Sequence, residues 1–328
     1  LVRRKEVDMI DTKSIFSIAT QADFDRMTLE VFRFQAEACA PYREYLELLG
    51  VDPAAVECPK QIPFLPIELF KSHRVYCGSN PPQQIFTSSS TTGQTPSRHY
   101  VADLRIYEEA FTRSFELFYG PAEQTAIYAL LPNYLEREGS SLIYMVEGLI
   151  RRGGGGFYLY DHDALLRDME AHQGKKILLG VSYALWDLAE EQRGALHDVI
   201  VMETGGMKGR REELPREEFH RLLCDAFGVQ SIHSEYGMAE LMSQAYSDGN
   251  GIFRTPPWMR ICVRDLNDPF RLLPNGATGG INLIDLANLY SCSFLQTQDL
   301  GKVYDDGSFR ILGRISGSEI RGCNLLVQ

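Results

Sequence analysis

Between Thr87 and Ser97 the chain reads TSSSTTGQTPS, a run of small hydroxyl side chains around a single glycine, Gly93. Hydroxyl and backbone N–H donors gathered on one turn can wrap a phosphate. Thr87, Ser88, Ser89, Ser90 and Thr91 could each donate to a phosphate oxygen, and Thr92 follows beside Gly93. The nucleoside-triphosphate loop of the Gly-Lys-Ser/Thr type is excluded, because it needs two glycines and a following lysine, whereas this run ends Pro96-Ser97. Read alone, the segment fits either a phosphate cradle or a solvated Ser/Thr-rich loop.

Three later segments weigh towards the cradle. Ser234-Glu235-Tyr236-Gly237-Met238-Ala239-Glu240 follows a short β-like run, Gln298-Asp299-Leu300-Gly301 precedes a hairpin-like Asp305-Asp306-Gly307, and Ile311-Leu312-Gly313-Arg314 comes after it. In this order and at these separations they resemble the motifs of the adenylate-forming enzymes, a superfamily that includes acyl- and aryl-CoA ligases, luciferase and the adenylation domains of peptide synthetases. The resemblance covers residues 85 to 322. Within the superfamily the likeness is greatest to the acyl-protein synthetases of the bacterial bioluminescence fatty-acid reductase complex and their relatives.

The resemblance implies ATP and magnesium as cofactors, and a carboxylic acid, fatty or aryl, that attacks the α-phosphate while pyrophosphate departs. Such a site must collect negative charge without repelling the attacker. By resemblance Glu240 is the metal-holding acid. Tyr236, followed by Gly237, matches the aromatic that stacks on adenine. Gly205 and Gly206 match the strand end on the other side of the base, where glycine lets backbone approach a ring closely. Asp299 matches the acid that takes the ribose hydroxyls, and Arg314 the arginine that reaches ribose or phosphate.

The chain departs from the superfamily pattern in several places. Ser90 stands where the phosphate loop usually has a second glycine, and Ser97 or Arg98 where it has a lysine. Ala239 replaces the threonine before the metal-binding glutamate, and Lys208 is the expected compensating cation. Superfamily ligases continue past Gly-Arg into a mobile domain that carries a catalytic lysine. Here fifteen residues follow Gly313 (328 − 313). The expectation is a chain that lacks that domain or borrows its lysine from a partner.

A lone cysteine is ordinarily a buried small hydrophobe. Cys323 instead follows the hinge-like Ser316-Gly317-Ser318, and Arg321 would favour its thiolate. In the acyl-protein synthetases the acyl group passes to a cysteine near the carboxyl terminus, which the resemblance maps to Cys323. Three readings stay open: an acyl-protein synthetase with Cys323 or a partner protein, such as a reductase, as acceptor; a ligase using CoA or a carrier protein; and a silent nucleotide- or acyl-binding subunit.

The elements that must hold these residues read as α/β. An amphipathic helix is expected over 24–49, broken near Pro41, and then a Pro-punctuated passage to the hydroxyl run. Alternating helices and strands follow from 104 to 233, which implies right-handed crossovers and a largely parallel, helix-covered sheet. Ligands of such sheets sit beyond the carboxyl ends of the strands, where Gly205-Gly206 and Tyr236-Gly237 fall. The strand expected over 157–160 follows a four-glycine turn at 153–156, and short β-runs at 259–263, 280–284 and 309–312 suggest a small β-rich subdomain. The expected segments are a helical arm and lead-in (1–84), an adenylate-binding core (85–250), the β-rich subdomain (251–313) and a hinge with tail (314–328).

A net charge of −11 speaks against nucleic acid or an anionic membrane as main partner. Seven scattered cysteines without a C-x-x-C pair fit neither a disulfide framework nor a zinc site. With no apolar signal core and no run of eighteen apolar residues, the expectation is a cytoplasmic protein not inserted in a membrane. No esterase elbow or zincin motif is present. His99, His162 and His233 are expected as surface or satisfied core residues, and Trp258 with Met259 as acyl-pocket lining or packing.

Overall fold

After a short α1 (Thr12–Ile15), Phe24, Met27, Val31 and Phe32 recur at helical spacing and form the buried face of α2 (Gln21–Ala38) in the computed structural model. Thr20 and Asp23 close a reciprocal capping box at its start, satisfying two donors that a helix end leaves open. The chain then breaks at Cys39, and α3 (Ala40–Leu48) begins with Pro41 in its first turn, where a missing N–H is harmless. β1 (Leu65–Pro66) and α4 (Leu69–Ser72) follow.

Residues 10–88, 95–131, 139–191, 194–206, 211 and 214–315 are described by the structure. They fall into two units: one drawn from the stretches Leu1–Ser79 and Pro257–Gln328, the other from Asn80–Pro256. Among the described residues no helix is long and apolar enough to cross a membrane.

The middle unit opens with an antiparallel hairpin, β2 (Gln84–Thr87) and β3 (Arg98–Val101), whose connection is the hydroxyl-rich run. Then come α5 (Leu104–Tyr119), β4 (Thr125–Leu130), α6 (Ser141–Gly153), β5 (Gly155–Phe157), α7 (His162–Ala171), β6 (Lys175–Val181), α8 (Ser182–Glu191), β7 (Val199–Thr204), α9 (Arg216–Phe227), β8 (Ile232–Tyr236) and β9 (Ala245–Ser247). The strands form one six-stranded sheet in the order β5-β4-β6-β7-β8-β9, parallel except for β9. Helical crossovers cover such sheets on both faces, so their strands are apolar without alternation. Every residue of β4 and all but the first of β6 are buried.

One strand is displaced from its expected place. Gly155 and Gly156, read as turn, are strand residues paired with Ile127 and Tyr128. A Cβ on Gly155 would lie 1.9 Å from the Ile127 carbonyl oxygen, and its φ is +100°, so only glycine permits this approach. Strand propensity, which disfavours glycine, pointed instead to the aromatic residues that follow.

The chain returns to the first unit with β10 (Met259–Arg264), β11 (Thr278–Asp285), β12 (Phe294–Val303) and β13 (Phe309–Arg314), each antiparallel to the next. β1 pairs in parallel with β12, so stretches from before and after the middle unit share one sheet and one core. Phe294 of β12 meets Phe32 edge-on at 5.8 Å and stacks on Tyr42 at 6.1 Å. Trp258, against Phe16 at 5.0 Å, and Met259 are consumed in this packing.

Gln35, fully buried on α2, holds the loop between β11 and β12. Its Nε2 donates to the carbonyls of Asn288 and Leu289, both at 2.9 Å, and its Oε1 accepts from the Ser293 N–H at 2.9 Å. Gln35→Leu fills the space but strands those backbone groups. It is expected to lower unfolding stability by roughly 3 kcal/mol, read as a drop in the urea midpoint at unchanged m-value.

Candidate active site

β7 and β8 are neighbouring parallel strands whose last paired residues are Thr204 and Glu235. Thr204 is followed by Gly205-Gly206, and Glu235 by Tyr236-Gly237, so both sequence motifs emerge side by side from the carboxyl edge of the sheet. Gly205 has φ +72°, which favours glycine, and among the described residues a Cβ on Gly206 would meet no atom within 4 Å. Open space over Gly206 is what a flat ring laid against backbone needs. Tyr236 is half-buried and held edge-on by Phe253, ring centroids 6.0 Å apart.

Two buried carboxylates, to which the sequence motifs give no role, sit behind these strand ends. Glu203 lies on one face of β7, with Oε1 3.0 Å from His220 Nε2 and 3.9 Å from Arg216 Nε. The Ser234 hydroxyl donates to it at 3.3 Å and that of Ser182 at 3.5 Å. Burial acts to raise its pKa, but the His220 hydrogen bond and the Arg216 and His220 charges outweigh it and hold the group below its ordinary value. Glu203 is therefore ionised at neutral pH. Glu235 has its hydroxyl donor in Thr204, and burial pushes its pKa up to about 7 against that bond. The available signal was an acid inside each strand, VIVMET and IHSEY, where burial on both faces leaves little room for charge.

At the start of the hydroxyl-rich run, the Thr87 N–H donates to the Gly139 carbonyl at 2.8 Å. Ser88 and Ser97 clasp each other: the Ser88 N–H donates to the Ser97 carbonyl at 3.2 Å, and the Ser97 N–H to Ser88 Oγ at 3.0 Å. Of the two residues at the usual lysine position, Ser97 is buried and Arg98 exposed, which leaves Arg98 as the cation on that strand end. Ser89, Ser90, Thr91, Thr92, Gly93, Lys208 and Cys323 lie outside the described residues.

Glu240 is buried, 8% exposed, in a turn closed by the Leu241 N–H on the Met238 carbonyl at 3.1 Å; it is not a solvated acid at a helix start. Just before it, the Ala239 carbonyl accepts from His99 Nδ1 at 2.9 Å. His99 belongs to β3, so this bond ties the strand that ends the hydroxyl-rich run to the Glu240 turn. Burial pushes the His99 pKa down to about 4, so the imidazole is neutral and its Nδ1–H is a fixed donor. His162 bonds Glu191 at 2.6 Å, and His233 bonds the Tyr119 hydroxyl at 3.2 Å.

In the other unit, Asp299 and Arg314 are directly opposed across β12 and β13, with Asp299 Oδ1 3.6 Å from Arg314 Nε. The Asp299 side chain is 11% exposed and that of Arg314 81%. So exposed a pair contributes little to stability; its geometry presents an acceptor and a cation together. Among the described residues no group of three or more His, Cys, Asp or Glu could hold a metal. Glu240 offers the hard oxygen donors that magnesium takes singly or in pairs alongside substrate phosphates.

The His99 arrangement fixes a pH dependence. An imidazole with an ordinary value of 6.5 when unfolded and about 4 when folded leaves the folded state with fewer bound protons across that window. Stability is thus lost as pH falls from 6.5 towards 4, by roughly 3 kcal/mol. His99→Gln is expected to flatten the slope of the unfolding free energy over this range, measured by urea unfolding at closely spaced pH values.

No family model matches the sequence. The long-chain-fatty-acid–luciferin-component ligase of Vibrio harveyi is 27% identical over 315 residues, covering 87% of this chain and 82% of that protein. The fold is shared with 2-hydroxyisobutyryl-CoA ligase in an open conformation in complex with 2-HIB-AMP and CoA, at TM-score 0.66 and 15% identity over 92% of this chain and 77% of that one. It is shared also with ATP-bound MatB from Rhodopseudomonas palustris, at TM-score 0.54 and 19% identity over 70% of this chain. The matched region spans about half of MatB, 47% of its length. The chain is thus similar in sequence to that fatty-acid ligase and shares the fold of these solved structures.

Proposed function

We propose that this chain activates a carboxylic acid with ATP as an acyl adenylate and passes the acyl group to a thiol. The observation that carries the reading is the adjacency of the β7 and β8 ends, with open space over Gly206 beside Tyr236. In this reading adenine lies between Gly205-Gly206 and Tyr236-Gly237, Asp299 accepts from the ribose hydroxyls, and Arg314 reaches ribose or phosphate. Thr87, Ser88, Ser89, Ser90, Thr91, Thr92 and Gly93 form the phosphate loop, and Glu240 would hold magnesium. When bound, the metal neutralises phosphate charge. The tie from His99 of β3 to the Ala239 carbonyl supports a place for the Glu240 turn near the loop's base.

In the first step a carboxylate oxygen bonds the α-phosphorus as the bond to pyrophosphate breaks. In the second a thiolate bonds the acyl carbon, and AMP leaves with the carboxylate oxygen. The name of the Vibrio harveyi relative supports a long-chain fatty acid as substrate. Cys323 is the proposed acceptor within the chain, with a partner protein or CoA as the alternatives. The free thiols of the described residues suit a reducing cytoplasm.

Carboxylate-dependent exchange of labelled pyrophosphate into ATP, across fatty and aryl acids, tests the first step. Exchange is expected with a fatty acid and is expected to fall by roughly 100-fold in Glu240→Gln. Absence of exchange with every acid, despite ATP binding, sinks the enzymatic reading in favour of a binding subunit. Intact mass tests the second step: an acyl adduct lost in Cys323→Ser assigns the acceptor, whereas acyl-CoA formed without any adduct assigns it to CoA.

A further inference from the structure

We propose that Glu235 is a positioning residue for the nucleotide, its carboxyl group locking together the two strand ends that form the walls of the base pocket. The proposal rests on the reading of those ends as the adenine site. Its basis is the place of the two carboxyl oxygens. Oε2 accepts from the hydroxyl of Thr204, the residue immediately before Gly205-Gly206. Oε1 lies against Gly237, where an added Cβ would come within 2.3 Å of it. One carboxyl group therefore touches the root of the glycine wall and the residue after Tyr236 in the aromatic wall.

The backbone cannot do this alone. The β7–β8 ladder ends at the Thr204–Glu235 pair, so beyond it Gly205-Gly206 and Tyr236-Gly237 share no strand register. The side-chain bridge begins where the ladder stops. It also gives position 237 a reason to be glycine besides nucleotide access: the carboxyl fills the space a side chain would need.

The surroundings make the bridge sensitive to charge. Tyr107 and Tyr119 of α5 and Tyr246 of β9 face the carboxyl. On its own strand His233 bonds Tyr119, with Asp248 and Lys175 acting on that histidine. Burial favours the neutral acid, with a pKa of about 7. Protonated, Glu235 sits in this pocket without charge. Ionised, it accepts more strongly from Thr204 but is a buried charge, and recruiting water or shifting to solvate it displaces the oxygen that lies against Gly237. Because the folded value is raised above the ordinary 4.5, its contribution to stability declines as pH rises from 4.5 through 7.

The test is ATP affinity at equilibrium from about pH 6 to about pH 8.5, for wild type, Glu235→Gln, Glu235→Ala and Thr204→Val, with unfolding midpoints alongside. Glutamine keeps an acceptor for Thr204 and removes the titration. Wild type is expected to lose affinity on crossing pH 7 relative to Glu235→Gln, whose profile reports only the titration of ATP itself. At pH 6, Glu235→Ala and Thr204→Val are expected to bind about tenfold more weakly, the change produced by losing one buried hydrogen bond. A Glu235→Gln profile parallel to wild type, or wild-type affinity in folded Glu235→Ala or Thr204→Val, overturns the proposal. A folded wild type that binds no ATP even at pH 6 overturns the nucleotide reading itself, and the bridge with it.

Discussion

Two carboxyl groups buried on opposite faces of the sheet, at the ends of adjacent parallel strands, set the conditions for everything proposed at its carboxyl edge. Glu203 is kept ionised by His220 and Arg216 from α9 and by the hydroxyls of Ser182 and Ser234. Glu235 is pushed towards its neutral form and bound to Thr204. Burying acids costs several kcal/mol unless each oxygen is paired or protonated, and here one group takes each solution. The return for that cost is location: both lie directly beneath Gly205-Gly206 and Tyr236-Gly237.

The hydroxyl-rich run follows a similar logic with different chemistry. A hydroxyl-rich run needs fixed ends if its donors are to converge, and the Ser88–Ser97 clasp and the Thr87–Gly139 bond supply them. His99 then carries the same strand to the Ala239 carbonyl, one residue before Glu240. That contact bears on a departure from the superfamily pattern. At position 239 it is the backbone carbonyl that is engaged, a contact available to any side chain there, alanine included. In the β-rich sheet of the other unit, strand register sets Asp299 opposite Arg314.

Much of this was legible in the residues. Helical periodicity placed α2 and its break at Pro41, and alternating elements gave the parallel sheet, because both signals are local. Motif order pointed to Gly205-Gly206, Tyr236, Asp299 and Arg314, and their placement at strand ends or in strand register follows from topology. What remained hidden depended on distant partners. The Gly155 strand exists because Ile127 accepts it at close range. Glu235 became visible only when β7 brought Thr204 alongside, and the shared sheet of the first unit only when β12 met β1. β12 itself was missed because its Gln298–Gly301 stretch reads as a site motif, and the structure makes it strand.

The most direct test of the central claim follows the oxygen atoms. A fatty acid labelled with oxygen-18 in its carboxylate is incubated with the protein, ATP, magnesium and a thiol acceptor, and the nucleotide products are analysed by mass. Acyl adenylate chemistry leaves the attacking carboxylate oxygen on the phosphate of AMP, so labelled AMP is the predicted result. Label in orthophosphate with release of ADP, or unlabelled AMP formed as the acid is consumed, would contradict the account.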